Sequence, residues 1–147
     1  MNNTESKPLV YMLEHDADDR ELTEVISRET GHEVNFRFFG DASLFFKALS
    51  STEQQPSVIL ISYNIRGRAA TDVIHHLKSA EKYKRIPVVV LGESASPVII
   101  DEVYACGAAS YITKPFTNID TVEKISGFLN YWFHIVELPS AVMSDQQ

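Results

Sequence analysis

Cysteine is almost missing from this chain: of 147 residues only Cys106 carries a thiol. No disulfide can form within one copy, and a reducing compartment is the expected setting. Long apolar runs are missing as well. Runs such as "VVVL" fall far short of the roughly 20 residues that a membrane-spanning helix needs. The opening "MNNTESKP" is polar and offers no apolar segment of the kind a signal peptide carries. Positive charge is scarce, with 13 Lys and Arg against 20 Asp and Glu and a net charge of −7. The basic residues gather only at Lys78, Lys82, Lys84 and Arg85, which reads as a solvated helix end. Nucleic-acid phosphates repel such a chain. The expectation is a cytoplasmic protein with neither a nucleic-acid nor a membrane partner.

One further gap is local. No acidic residue occurs between Glu53 and Asp72. Yet "SVILISYNIRG", residues 57–67, reads as a buried strand running into a loop, where many α/β proteins keep a reactive carboxylate. Its strand ends in Ser62. What is present elsewhere is enough for one domain with a sizeable core: 44% of residues are hydrophobic and 22% charged. The expected division is a polar leader over 1–7, a domain over 8–136 and a tail over 137–147.

Five strands alternate with five helices along the domain. "LVYML" reads as the first strand, and "DADDRELTEVISRETG" as a helix with acids in its first turn, where the dipole favours them. Leu22, Val25 and Ile26 form its expected inner face, with Gly31 as its stop. "EVNFRFF" alternates as a second strand with Val34, Phe36 and Phe38 on one side, and Asp41 can cap "ASLFFKALS". "SVILIS" is apolar on both faces, as a parallel strand covered by helices should be. A helix follows from about Ala70, with Val73, Ile74 and Leu77 inward. "IPVVVL" is the fourth strand. Ser96-Pro97 starts a helix, with a cap followed by proline, which runs to Gly107. "ASYIT" is the fifth strand, broken by Lys114-Pro115, and a last helix spans about 118–136. Five βα units in succession give an α/β fold, a doubly wound parallel sheet. Ligands of such sheets bind beyond the carboxyl ends of the strands, here the segments 14–19, 62–68, 92–96 and 113–116.

At those strand ends "LVYMLEHDADDREL", "IPVVVL" and, most specifically, "GAASYITKPF" resemble the receiver domain of two-component response regulators, over about residues 8–136. The resemblance implies a flavodoxin/receiver-like (βα)5 sheet of strand order 2-1-3-4-5. It also implies a chemistry: an aspartate ending the third strand takes a phosphoryl group from a histidine kinase. Two acids after the first strand hold Mg2+, and a Thr or Ser and a Lys contact the phosphoryl oxygens. Glu14 stands at the first acid and Lys114 at the lysine. Tyr111, three residues before Lys114, is at the switch-aromatic position. His15 replaces the second acid, Ser62 the phosphoacceptor and Gly92 the hydroxyl residue.

Each replacement weakens that chemistry. A serine hydroxyl is a poor nucleophile without a base, an imidazole is a softer ligand than the hard Mg2+ prefers, and Gly92 has no side chain to grip an oxygen. Two unit charges 4 Å apart interact by about 4 kcal/mol at an effective dielectric constant of 20. Glu14 and Lys114 are therefore expected to pair and leave a neutral pocket, lined also by Asn64, with no metal and no tight Mg2+ binding. The expected role is a stand-alone receiver-like module in phosphorelay signalling that binds a histidine kinase or another signalling protein, with no catalytic residues.

Other readings of the same residues compete. A phosphorylation-competent receiver would use Ser62 or one of Asp16, Asp18 and Asp19. A hydrolase pairing Ser62 with His15 lacks a G-x-S-x-G elbow. A flavodoxin-like enzyme or nucleotide binder needs small residues and free amides after the first strand, where this chain has the acidic "EHDADD". A Zn2+ site around His15 competes with a solvated loop histidine helping to cap the first helix, the favoured reading. Adjacent His75 and His76 diverge by about 100° on a helix and do not chelate as a pair. Arg66 and Arg68 are expected to be solvated, or to fold back on Glu14.

The last helix carries two apolar stripes. Val122, Ile125, Leu129, Trp132 and Val136 form one, the core face. Phe128, Tyr131, Ile135 and Leu138 form a second, about 120° away. Some single-domain regulators associated with phytochromes and hybrid kinases have a similar tail, and the resemblance implies a homodimer through this helix. With Val103 and Tyr104 of the fourth helix, the second stripe supplies the interface candidates, unless it covers the domain's own core.

Overall fold

The computed structural model describes residues 7–51, 53–115 and 117–140. The expected leader is thus described only at Lys7, and the tail only as far as Ser140. Five parallel strands, β1 (Leu9–Leu13), β2 (Asn35–Phe39), β3 (Val58–Ser62), β4 (Val88–Gly92) and β5 (Ser110–Thr113), form one sheet in the order β2-β1-β3-β4-β5. The helices are α1 (Ala17–Glu29), α2 (Ala42–Ser51), α3 (Ala70–Ser79), α4 (Pro97–Ala105) and α5 (Asn118–Asn130). The register pairs Leu13 with Phe39 and with Ile61, and Ser62 with Leu91. Thus the residues that end β1, β3 and β4 meet along one edge.

Alternation along the strands sends side chains to two cores. Tyr11, Leu13, Ile59, Ile61, Val88 and Val90 point to one face, where Phe45 and Leu49 of α2, Val73, Ile74 and Leu77 of α3, and Val103 of α4 cover them. Val10, Met12, Val58, Leu60 and Val89 point to the other, under Phe128 and Leu129 of α5. Since β1 and β3 are buried along their whole length, their unbroken apolar composition follows from helices on both sides.

Helix ends explain several expectations and correct others. The Asp16 carboxylate accepts the N–H groups of Asp18 and Asp19 and caps α1, while Gly31, at φ +79°, turns the chain away. Asp41 caps α2 by accepting the Leu44 N–H at 2.9 Å. Ser96 stands at the start of α4, but its side chain makes no capping bond; the Ser94 hydroxyl instead accepts the Ser96 N–H. The buried face of α1 is Thr23, Ile26 and Ser27, and Leu22 is left 36% exposed. Thr23 tolerates burial because its hydroxyl donates to the Asp19 carbonyl.

The last helix is not one regular α-helix. After Asn130 it widens into a π-turn, π1, over Tyr131–Ile135, closed by the Val136 N–H donating to the Tyr131 carbonyl at 3.1 Å. The wider turn breaks the 3.6-residue bookkeeping behind the two stripes. Phe128 is buried against the sheet, and Leu138 packs half-buried on the same core together with Trp132 and Phe133. Val103 is fully buried as well. Phe128 and Val103 are therefore core residues and not interface residues. Tyr131, Ile135 and Tyr104 remain exposed, and Val122, expected inside, is exposed too.

Candidate functional site

The strand edge delivers each expected residue to one place. Glu14 follows β1, its N–H donating to the Phe39 carbonyl at 2.9 Å, and its side chain is wholly buried. Burial of a carboxylate demands partners, and Glu14 has them. Oε1 accepts from the Lys114 ammonium at 2.8 Å, and Oε2 from the Asp16 N–H at 3.1 Å. Lys114 is aimed by its own backbone, whose N–H donates to the Gly92 carbonyl at 2.7 Å. The ammonium also reaches Asp19 Oδ2 at 3.1 Å.

The expected two-residue balance is thus a three-residue cluster, two carboxylates around one ammonium. Asp19, read from the sequence only as a first-turn acid or a surrogate phosphoacceptor, lies in the first turn of α1 and joins the pair. Arg20, also unanticipated, donates to the Glu14 carbonyl at 2.6 Å and braces the loop. Burial alone would lower the Lys114 pKa, but Glu14 and Asp19 outweigh it and hold the ammonium above its ordinary range. The first-turn amides, Asp19 first, hold the exposed Asp16 carboxyl below its usual value.

Ser62 ends β3 almost completely buried, and its hydroxyl reaches the Asn64 carbonyl only at 3.5 Å. His15 Nδ1 lies 3.0 Å from the same carbonyl and 3.6 Å from Glu14 Oε2. A carbonyl oxygen only accepts, so Nδ1 carries the hydrogen, and the Ser62 hydroxyl is directed to that same carbonyl and not to the imidazole. The nucleophile–base bond that a hydrolase requires is replaced by a shared acceptor. His15 clips the first loop to the third, and Asp16 is the cap.

Gly92 explains the position of Tyr111. A Cβ at residue 92 would overlap the tyrosine hydroxyl, standing 2.6 Å from Cζ and 3.0 Å from Cε2 of the ring. The ring therefore occupies the space beside β4 that any side chain at position 92 would claim. Its hydroxyl donates to the Ser94 carbonyl at 2.5 Å, and partial burial pushes the phenol pKa up.

Of the basic residues beside the site, Arg66 has an exposed side chain, as expected, and Arg68 is engaged. Neither Arg66 nor Arg68 salt-bridges Glu14. The Arg66 carbonyl accepts the Ala42 N–H at 3.3 Å. Arg68 lies over the Phe46 ring at 5.2 Å and meets His76 Nδ1 at 3.3 Å, and His76 stacks on Phe46 at 4.2 Å. The expected solvated cluster at 78–85 is also partly structural: the Lys78 ammonium donates to the carbonyls of Lys84 and Ile86, and Lys84 pairs with Glu81 at 2.8 Å.

The donor set fits Mg2+ poorly. Mg2+ prefers carboxylate and carbonyl oxygens. Yet the Lys114 ammonium stands 2.8 Å from Glu14 Oε1 and 3.1 Å from Asp19 Oδ2, where its positive charge opposes a second cation. The second acid position holds His15. Among the described residues no group of three or more His, Cys, Asp or Glu is disposed to hold a metal ion. Below the Glu14–Lys114 pair an apolar cleft of about 100 Å³, lined by Met12, Leu22, Phe36 and Phe128, separates α1 from α5. It is small beside the roughly 300–1,000 Å³ of small-molecule sites.

Comparison with known proteins bears on the fold. No family model matches the chain. The two-component response regulator ARR17 of Arabidopsis thaliana is 24% identical over 133 residues, covering 85% of this chain and 86% of that protein. For ARR16 of the same plant the identity is 27% over 86 residues, 58% of this chain and only about half, 52%, of the relative. Among solved structures, the phosphorylated cyanobacterial phytochrome response regulator RcpA superposes with a TM-score of 0.86 at 23% identity, over 92% of this chain and 100% of that one. The chain has the fold of a response regulator receiver domain. Among the described residues no helix is long and apolar enough to cross a membrane.

Proposed function

We propose that this chain is a stand-alone receiver-like module of two-component, phosphorelay signalling that acts in the cytoplasm by docking to protein partners, a histidine kinase among them, and not by phosphorylation of an aspartate. One observation carries the reading. The 2.8 Å Glu14–Lys114 pair commits, without metal or phosphate, the carboxylate and the ammonium that a phosphorylated site would need. Ser62 at the end of β3 offers a hydroxyl whose phosphate ester lacks the reactivity of an acyl phosphate. Tyr111, seated beside Gly92, holds the β4–α4 loop in one arrangement by bonding Ser94. The module is not an enzyme on this reading, and neither Mg2+ nor another cofactor binds tightly.

The docking surface comprises the exposed part of α4, including Val98 and Tyr104, and the end of the last helix at Tyr131 and Ile135. Exposed aromatic and aliphatic side chains of this kind suit a partner interface. A homodimer through Tyr131 and Ile135 is part of the proposal.

Incubation with acetyl phosphate and Mg2+ followed by intact-mass measurement tests it. The polypeptide is expected to stay unmodified. A stoichiometric, Mg2+-dependent phosphoryl adduct would overturn the reading. Its stability to hydroxylamine would then separate an ester on Ser62 from an acyl phosphate on Asp16, Asp18 or Asp19.

A further inference from the structure

Far from the strand-end cluster, two histidines separated by 102 positions meet. His32 Nδ1 lies 3.1 Å from His134 Nε2, and the ring centroids are 5.0 Å apart with planes inclined by 41°. Two irregularities of the backbone lie next to them. Gly31, at φ +79°, takes the chain out of α1 and presents His32. The π-turn at Tyr131–Ile135 carries His134 at its fourth position. A π-turn gives up regular helical hydrogen bonding, and such turns occur frequently at functional sites. Desolvation of His32, and next the neighbouring His134, lower the His32 pKa.

We propose that His32 and His134 form a binding site for one borderline divalent cation of the Cu2+, Ni2+ or Zn2+ class, which would tie the α1–β2 turn to the end of the last helix. Imidazole nitrogens suit these ions and not Mg2+. At metal–nitrogen distances of about 2.0–2.1 Å, two ligands of a tetrahedral ion stand about 3.3 Å apart. The observed separation is already close to that edge, so ring rotations suffice. In the metal-free pair one nitrogen donates its hydrogen to the other. On binding, that ring shifts its hydrogen to its second nitrogen, both lone pairs face the ion, and the number of protons on the pair is unchanged. Among the described residues no third His, Cys, Asp or Glu joins them, so water completes the coordination.

The test uses the full chain without an affinity tag. Calorimetric titration with Cu2+ and with Zn2+ is expected to show one ion per chain, Cu2+ the tighter. The unfolding temperature should rise when the ion is added. His32→Ala and His134→Gln should each weaken binding at least tenfold and abolish that rise, whereas the double variant His75→Ala, His76→Ala should retain both. Two-nitrogen hyperfine structure in the Cu2+ spectrum should be lost in His134→Gln, which keeps the size and polarity of the position. No binding, or binding that survives loss of His32 and His134, would overturn the proposal.

Discussion

The two faces of the sheet are built to different standards. The face under α2, α3 and α4 buries eighteen apolar residues in one cluster. In it Tyr11, Phe39 and Phe45 meet at centroid distances of 4.8–6.0 Å. The face under α1 and α5 buries seven among the described residues and is completed by half-buried ones, Phe36, Ile112, Ile125 and Trp132 among them, with a cleft of about 100 Å³ left beneath the Glu14–Lys114 pair. The buried ion cluster, the exposed Leu22, the π-turn and the histidine pair lie on the second face or at its rim, while Tyr111 and the Arg68–Phe46–His76 stack border the first. Apolar burial is thus concentrated on one side of the sheet.

Paired truncations test that contrast most strongly. Leu49→Ala removes a fully buried side chain from the dense face and should cost about 2–5 kcal/mol. Ile125→Ala on the thinner face should cost about 1 kcal/mol, because its side chain is only half-buried and borders an existing cleft. Denaturant titration reads both, and equal costs would dissolve the distinction between the faces.

Glu14→Gln should come next, at about 2–3 kcal/mol. Removing one member of a buried pair leaves its partner poorly compensated, though Asp19 stays within reach of Lys114. The wild-type advantage also has a definite pH dependence. A lysine whose pKa is raised by folding contributes its full stabilisation below its unfolded value of about 10.5. It loses that stabilisation as pH rises through the folded value. The gap between wild type and Glu14→Gln should therefore be flat across the neutral range and close in strong alkali.

Smaller still is the expected cost of Gly92→Ala, about 1 kcal/mol, close to that of one hydrogen bond. The tyrosine end that a new Cβ would strike can swing outward. The structural effect should exceed the energetic one: Tyr111 leaves Ser94, and the amide resonances of residues 93–96 shift. Tyr131→Glu should change stability by less than about 0.5 kcal/mol, since its ring is nearly half exposed. Light scattering should nevertheless show a lower mass than for wild type, and an unchanged mass would remove the dimer.

Much of this arrangement was legible in the residues. Period-two and period-3.6 patterns are local properties of a backbone, so the five strands, the parallel sheet with helices on both faces, the Asp41 cap and the Gly31 stop were readable. The strand order, by contrast, came from the resemblance. The α1 cap is Asp16 and not the expected His15, and the Ser96 side chain caps nothing. Glu14 and Lys114 were readable as partners because each stands next to a strand end. The position of Asp19 in that cluster was not, because it depends on the rotation of α1 over the sheet. The burial of Phe128 and Val103 was missed for a related reason. A helical wheel cannot tell which of the two apolar stripes of α5 meets the sheet, nor that Val103 lies on the side of α4 packed against it. Tyr111 beside Gly92 is a tertiary fit between neighbouring strands, β4 and β5, and no single segment encodes it.

The central claim is that an internal ion pair and a seated tyrosine occupy the places where a metal and a phosphoryl group would act. A Mg2+ titration of the purified protein, followed through the backbone amides of Glu14, Ser62 and Lys114, tests it most directly. The account predicts no saturable change at millimolar Mg2+. Saturable, one-to-one binding that disappears in Glu14→Gln would contradict it.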